Sequence, residues 1–447
     1  MDCEMNRPNE KPPTIVPEAA TQVGEVRARW AWTERSVWTD RMLAALEEGV
    51  KGGVWFSLID KVYSRDNLSS SYSEVSANGG AAGVDHVSTE AFNEGLCDNL
   101  LRIAEQLREG TYRPQAVRRV HIPKPGSHET RPLGIPTVRD RVVQGALRHV
   151  LEPIFENEFA EHSYGFRPGR GCKDALRRVN GLHREGYHHV VDVDLKSYFD
   201  TIPHDRLLTE VRKHVADGRV LGLIEAFLQA EIMDGLEHWR PTSGAPQGAV
   251  LSPLLSNIYL NDLDHLMARA GLEMTRYADD MVIQCRTREE AERALAMVQA
   301  WTAERGLTLH PTKTKIVDAL TDGFEFLGYR FVKHYRFPRK KSLAKLREAI
   351  RGKTKRTNGQ SMFVIVADVN RTLRGGYEYF KHAHRTVFSD VDGWVRMRLR
   401  SILRKRAGRR GRGRGLDHQR WTNDYFVRLG LFRLKTAHDL AVQSSRR

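Results

Sequence analysis

Cysteine is scarce in this chain: four in 447 residues, at positions 3, 97, 172 and 285, with no Cys-x-x-Cys pair. That scatter argues against a disulfide framework or a cysteine-based structural zinc site, and it fits a reducing compartment. Long apolar runs are missing as well. No stretch approaches the roughly 20 residues that a membrane-spanning helix needs. The opening residues, MDCEMNRPNEKPPTIVPEAATQ, are polar and contain no apolar core of a secretory leader. The expectation is a soluble, cytoplasmic protein with no membrane partner. Acidic residues are what the C-terminal quarter lacks. Residues 331–447 carry 31 Lys and Arg against 8 Asp and Glu, whereas residues 1–330 carry 40 against 48. The whole-chain net charge of +15 is therefore segregated, and a basic region of that size calls for a polyanion, with nucleic acid the first candidate and an anionic membrane the second.

What is present suits an ordered protein. The chain is 40% hydrophobic, with 8 Trp and 16 Phe, enough for two or three packed domains. Residues 1–24, rich in Pro, Glu and Thr, read as a mobile tail. Helical spacing recurs from Val26 to Val62, and Ser69–Asp85 (SSSYSEVSANGGAAGVD) reads as a small-residue loop. Thr89–Arg108 reads as an amphipathic helix. Tyr112–Ile135 carries short alternating runs with prolines, which predict strands and turns. Further helices are predicted over Asp140–Phe159, Leu207–Leu228, Leu251–Leu263, Glu289–Arg305, Lys341–Lys355 and Asn370–His384. Arg404–Arg414 (RKRAGRRGRGR) reads as flexible low-complexity chain.

The carboxylates carry the chemistry. Val190–Leu195 (VVDVDL) alternates like a strand and presents Asp194 near its end. Tyr277-Ala278-Asp279-Asp280 separates two apolar strands, MTRY and MVIQC. Adjacent aspartates are poor strand formers and repel one another unless a cation lies between them. A strand ending in Asp beside a hairpin ending in Asp-Asp suits a two-metal site for phosphoryl transfer, where magnesium takes a few carboxylates and keeps several waters. The tetrapeptide alone fits an ordinary acidic turn at least as well, and Asp192 and Asp200, which flank Asp194, fit caps or surface charges.

Ordered company changes the reading. Ile122-Pro123-Lys124, Arg131 to Pro136 and Asp140 to Gln144 form a first block. Ser163 to Gly171 (SYGFRPGRG), Asp194 to Asp200 (DLKSYFD), Ala245-Pro246-Gln247-Gly248 with Leu251 to Asn257, and the Tyr-Ala-Asp-Asp block follow in order. Gly306-Leu307, Lys313-Thr314 and Phe326 to Tyr329 continue the series, and Asn370 to Phe380, Asp392 to Arg400 and Trp421 to Phe426 extend it. In this order the blocks resemble the bacterial group II intron reverse transcriptases. The match runs from about Trp30 to Arg433.

The resemblance implies an α/β (α+β) right-hand polymerase, with fingers and palm followed by an all-helical thumb and maturase region. It places an N-terminal extension at 25–110, fingers and palm at 111–335 and the basic helical region at 336–447. The palm is expected to be a mixed sheet with helices on one face. Asp194, Asp279 and Asp280 would be catalytic and would hold two Mg²⁺ ions, with Leu195 as a further metal ligand. Lys124, Arg131, Phe199, Gln247, Gly248, Tyr277 and Lys313 would contact the incoming nucleotide, Phe199 by lying against its sugar and excluding a 2′ hydroxyl. Arg371, Arg374, Tyr379, Arg404, Lys405, Arg406, Arg409 and Arg410 would contact RNA. The implied partners are template and intron RNA, a DNA primer or target and deoxynucleoside triphosphates; monomer and dimer both remain open. The absence of a zinc-linked endonuclease pattern points to the endonuclease-lacking, class C-like members, and the Ser69–Asp85 loop would be a template-clamping lid. Two other readings share the blocks: an RNA-binding splicing factor with a retired catalytic site, and a host-serving defence or repair polymerase.

Overall fold

The computed structural model describes residues 26–50, 52–123, 130–413 and 415–444. Its centre is a sheet built from β3 (His189–Asp194), β6 (Glu273–Tyr277), β7 (Asp280–Cys285) and β8 (Lys315–Asp318), in the order β6-β7-β3-β8. Every pairing in it is antiparallel. The expected mixed palm sheet with helices on one face is thus corrected on both points. Helices Ser252–Arg269 and Arg288–Glu304 pack on one face, and helix Cys172–Arg184 covers part of the other. The reason lies in the alternation of β3. Val191 and Val193 enter one hydrophobic core, and Val190 enters another with Val179 and Val282. Both faces carry apolar residues, so both must be covered.

The fingers hold the mixed sheet instead. β1 (Val117–Pro123) pairs antiparallel with β2 (Thr130–Ile135) and parallel with β4 (Ile232–Asp234), which forms a hairpin with β5 (Glu237–Trp239). The β4–β5 hairpin was not legible, because three-residue strands give too short an alternation to read. After β2 comes helix Val138–Glu156, buried along most of its length and packed mainly against helix Arg65–Asn78. Thr137 caps its first turn through Asp140, and Asp140 accepts from Tyr112 Oη at 2.6 Å and from the Gln115 amide at 3.1 Å.

Several predicted elements differ: Thr89–Arg108 is two helices, Thr89–Glu94 and Leu96–Glu109, and the helix predicted over Asn370–His384 runs instead over Met362–Phe380. Ser69–Asp85 is not a loop throughout: helix Arg65–Asn78 occupies most of it. Its serines mislead because they permit close approach rather than flexibility. Ser71 Oγ donates to Val142 O at 2.7 Å, and a Cβ on Gly145 would come within 2.2 Å of that hydroxyl. The long helix Leu207–Leu228 is two, His204–Arg212 and Gly218–Leu228, split by Asp217. That carboxylate accepts from the amides of Arg219 and Val220 in its own helix and from Leu58 and Ile59 across the fold.

A third sheet, β9 (Phe324–Phe326), β10 (Tyr329–Val332) and β11 (Tyr335–Pro338), leads into the basic helices Lys340–Lys353, Met362–Phe380 and Arg385–Arg406. These share a core through Phe331, Val369, Val395 and Phe426. The aromatics are largely inside. The Arg404–Arg414 stretch is corrected in part: its first three residues finish helix Arg385–Arg406, and Gly413 packs tightly against Arg400. Arg414 lies outside the described residues. Around the three sheets the chain forms a right hand, with fingers, palm and helical thumb.

Candidate active site

Strand alternation builds the site. On one face of β3 the sequence runs Val190, Asp192, Asp194, so the face is apolar at one end and acidic at the other. Asp194 stands directly opposite Asp280 in the β3–β7 ladder. Tyr277 pairs with Asp280, which leaves Ala278 and Asp279 as a two-residue turn. Ala278 sits in the left-handed region at φ 58°, the geometry tight hairpins require at this place. The three predicted aspartates are therefore brought together. Asp194 is fixed through its backbone: its carbonyl accepts from the His310 amide at 2.7 Å and from Thr314 Oγ1 at 3.2 Å.

Crowding shifts these carboxyls. Asp280 is open to solvent at the hairpin edge, but it rests on the cleft floor among protein. Burial there, reinforced by Asp192 and Asp279, pushes its carboxyl up to about 7. Burial and neighbouring Asp194 raise Asp192 to about 6, against the pull of Lys315. Asp279 is raised by burial and by Asp194, while Arg131 and Arg276 oppose the shift. Lys313 Nζ lies 3.4 Å from Asp194 Oδ2 and already offsets part of that charge.

The fingers meet this cleft at Arg131, whose Nε donates to Gln247 Oε1 at 2.6 Å. Gly134 N donates to Gln247 O at 2.6 Å. Gly248 has φ 104°, and a Cβ there would lie 2.6 Å from Gly134 O, so only glycine fits the turn. Phe199 is buried and helps line a cavity of about 260 Å³ with Arg119, Gly134, Asp200, Trp239 and Gln247. Leu195 is buried beneath the acidic end of β3. Lys124 lies outside the described residues.

The residues that hold the hairpin were not singled out from sequence. Arg276 is fully buried and ion-paired with Asp264; its Nη1 donates to Asn257 Oδ1 at 2.8 Å and to Ala278 O at 3.0 Å. Asn257 Nδ2 in turn donates to Gly165 O at 2.7 Å, and a Cβ on Gly165 would fall 2.3 Å from Ala278 N. The SYGFRPGRG loop is thereby clamped under the Ala-Asp-Asp turn. The available signal was a charged residue inside an apolar strand, with Asn257 and Asp264 two helical turns apart on an apolar helix.

Among the predicted RNA contacts, several are otherwise engaged. Tyr379 Oη donates to Leu327 O at 2.7 Å, and Tyr329 Oη donates to Tyr379 O at 2.6 Å, so Tyr379 ties the thumb to the palm. Burial and Cys172 push the Tyr277 hydroxyl up to about 12; the same two influences act on Tyr379, with Tyr277 adding to them. Arg404 pairs with the buried Asp417 at 2.6 Å, Arg371 pairs with Asp368 at 2.6 Å, and Arg374 stacks over Phe432. Arg406 donates to Asn358 O at 3.1 Å. Lys405, Arg409 and Arg410 are exposed.

Residues 122–331 match the sequence model of the reverse transcriptase (RNA-dependent DNA polymerase) family, and residues 343–421 match that of the group II intron maturase-specific domain. The chain is 36% identical over 236 residues to the group II intron-encoded protein LtrA of Lactococcus lactis subsp. cremoris, covering 50% of this chain and 38% of LtrA. It is 34% identical over 292 residues to protein YkfC of Escherichia coli (strain K12), covering 56% of this chain and 76% of YkfC. Among solved structures, a chain of the partial Cas6-RT-Cas1–Cas2 complex aligns with TM-score 0.37 and 25% identity, over 56% of this chain and 41% of that one. The polymerase match spans fingers and palm, the maturase match spans the basic helices, and together they show that the chain belongs to the reverse transcriptases of the group II intron type.

Proposed function

We propose that this protein copies RNA into DNA, extending a DNA primer with deoxynucleoside triphosphates, and that its basic helical region holds intron RNA to assist splicing and mobility. One observation carries the reading: Asp194 and Asp280 face each other across the β3–β7 ladder with Asp279 at the adjoining turn. The donor set fits a hard divalent cation, being all aspartate oxygen with no thiolate or imidazole. Burial raises both Asp279 and Asp280, with a neighbouring aspartate adding to each shift, and a bound cation would offset that cost. Among the described residues no three such side chains form a ready cage for an ion. Magnesium is bound by one or two carboxylates plus substrate phosphates more often than by an all-protein cage. When bound, two such ions would supply activation of the primer 3′ hydroxyl and stabilisation of the leaving pyrophosphate.

The chain's own groups do the positioning. Arg131, braced by Gln247, offers its guanidinium to the triphosphate, a geometry suited to paired phosphate contacts. By resemblance, Lys124 would add a point charge for the triphosphate. Gly248 lets the backbone approach the nucleotide, and Phe199 walls off the sugar. Lys313, 3.4 Å from Asp194, would offset that carboxylate's charge and could contact a nucleotide phosphate. Tyr277 would contact the incoming nucleotide. Purified protein given an RNA template, DNA primer, deoxynucleoside triphosphates and Mg²⁺ should yield full-length cDNA, and Asp279→Ala should yield none. Wild-type protein that makes no cDNA, or unimpaired extension by Asp279→Ala, sinks the proposal.

A further inference from the structure

The turn between β9 and β10 contains a residue that turns of its kind disfavour. Leu327 and Gly328 join these antiparallel strands, and both have positive φ, 45° and 81°. Two-residue turns with both φ positive favour Asn-Gly or Asp-Gly, because most L side chains are strained at the first place. Leucine persists there only where its surroundings hold it.

What holds it comes from the thumb. Tyr379 Oη, near the end of helix Met362–Phe380, donates to Leu327 O at 2.7 Å. Gly328 O accepts from the Arg339 amide at 2.9 Å and from Ser342 Oγ at 3.2 Å, where helix Lys340–Lys353 begins. Both carbonyls of the turn are thus taken by groups that follow it in the chain. Tyr329 Oη donates back to Tyr379 O at 2.6 Å, so the helix end and the hairpin grip each other. A Cβ on Gly328 would come within 3.3 Å of Ser342 Oγ and 3.6 Å of the Tyr379 ring, which leaves the turn little slack.

On its other side the turn meets the cleft. Burial is the main force raising the Asp280 carboxyl, and a hydrogen bond from the Leu327 amide works against it. The carbonyl held by Tyr379 and the amide that meets Asp280 flank one Cα, so release of the first swings the second. The Tyr379 hydroxyl also neighbours Tyr277, the residue that leads into the Ala278-Asp279 turn. We propose that Tyr379 is a positioning residue for nucleotide addition: its hydroxyl locks the Leu327–Gly328 turn against the cleft floor and so fixes Asp280, which ties the rate of the reaction to the seating of the thumb. The proposal rests on the polymerase reading above.

The test compares the full chain with Tyr379→Phe, which keeps the ring and removes the hydroxyl. Single-nucleotide addition by a preformed complex with RNA template and DNA primer should slow about fivefold, the weight of one hydrogen bond. Nucleotide KM and primer–template affinity should stay within about twofold of wild type, because ground-state binding is untouched. Hydrogen exchange, measured with neither metal nor nucleic acid, should quicken over residues 325–329 and 277–281 and stay unchanged along helix Met362–Phe380. Adding Leu327→Asn to Tyr379→Phe should restore most of the rate, since Asn takes the left-handed turn unaided. Wild-type rate and exchange in Tyr379→Phe overturn the proposal. Weakened primer–template binding at an unchanged rate also overturns it, by assigning the hydroxyl to nucleic acid. So does quickened exchange along the whole helix with no recovery by Leu327→Asn, which leaves Tyr379 a docking residue alone. Failure of the underlying reading looks different: the wild type then extends no primer, while the exchange measurement still decides whether Tyr379 holds the turn.

Discussion

Arg276 reaches through the floor of the palm to Asp264 with Nε 2.8 Å from Oδ1, and the same guanidinium donates to the carbonyl of Ala278 in the turn above. A buried ion pair thus ends on the backbone that aims Asp279. Removing one partner leaves a charge with no water to solvate it. Arg276→Ala should therefore lose about 3–5 kcal/mol of stability, read by denaturant melts. Replacing both partners, Arg276→Met with Asp264→Leu, should regain much of the stability while extension stays slow, because the Ala278 carbonyl remains unheld. Recovery of full extension in the double variant would show that the pair serves stability alone.

Gly165 is sterically tied to the same turn. A Cβ added at this position would stand 2.3 Å from Ala278 N, and both lie on backbone that cannot swing aside. Gly165→Ala should shift the turn by a few tenths of an ångström or more. Slower turnover with little change in nucleotide KM is the expected result, since displacement of reacting groups acts on the chemical step. Wild-type turnover in steady-state extension would show that the loop gives way instead.

Phe199 supplies a wall of the cavity beside Gln247. Phe199→Val should open space for a 2′ hydroxyl and lower the preference for deoxynucleotides over ribonucleotides by about tenfold or more, within the range steric selection commonly gives. Competition between the two nucleotide types on one template measures it. An unchanged ratio would assign Phe199 to core packing.

Asp217 tests the fold outside the cleft. Burial works against its charge, but four backbone amides outweigh burial and hold its carboxyl below the ordinary aspartate range. A carboxyl lower in the folded than in the unfolded state contributes stability that is complete above the unfolded value, about 3.9, and is lost as pH falls through the folded value. Asp217→Asn should cost about 1–3 kcal/mol near neutral pH. The gap from wild type should narrow below about pH 3.9, as melts across pH would show. A gap independent of pH would remove the charge from the explanation.

The strands that build the cleft were readable because both signals were local: alternation in VVDVDL, and an apolar–acidic–apolar hairpin around Ala278-Asp279. The strands β1 and β2 of the fingers were readable from their own short alternating runs. What escaped depends on distant partners. Helix Arg65–Asn78 hides behind serines whose use is close packing on Gly145. The break before Gly218 depends on Asp217 finding Leu58 and Ile59, some 160 residues earlier. The role of Arg276 depends on a helix that precedes it, and Tyr379 was read as facing RNA because its palm acceptor, Leu327, sits in another block.

The alternation of β3 has a consequence for how this protein can fail. Val191 and Val193 fill one core while Asp192 and Asp194 line the opposite face. Sliding the strand by a single residue would exchange the two sets, driving carboxylates into hydrocarbon and valines into the cleft. Misfolding and misassembly of the reactive centre are then the same event. A palm closed in the wrong register would therefore be both unstable and without its carboxylate cluster.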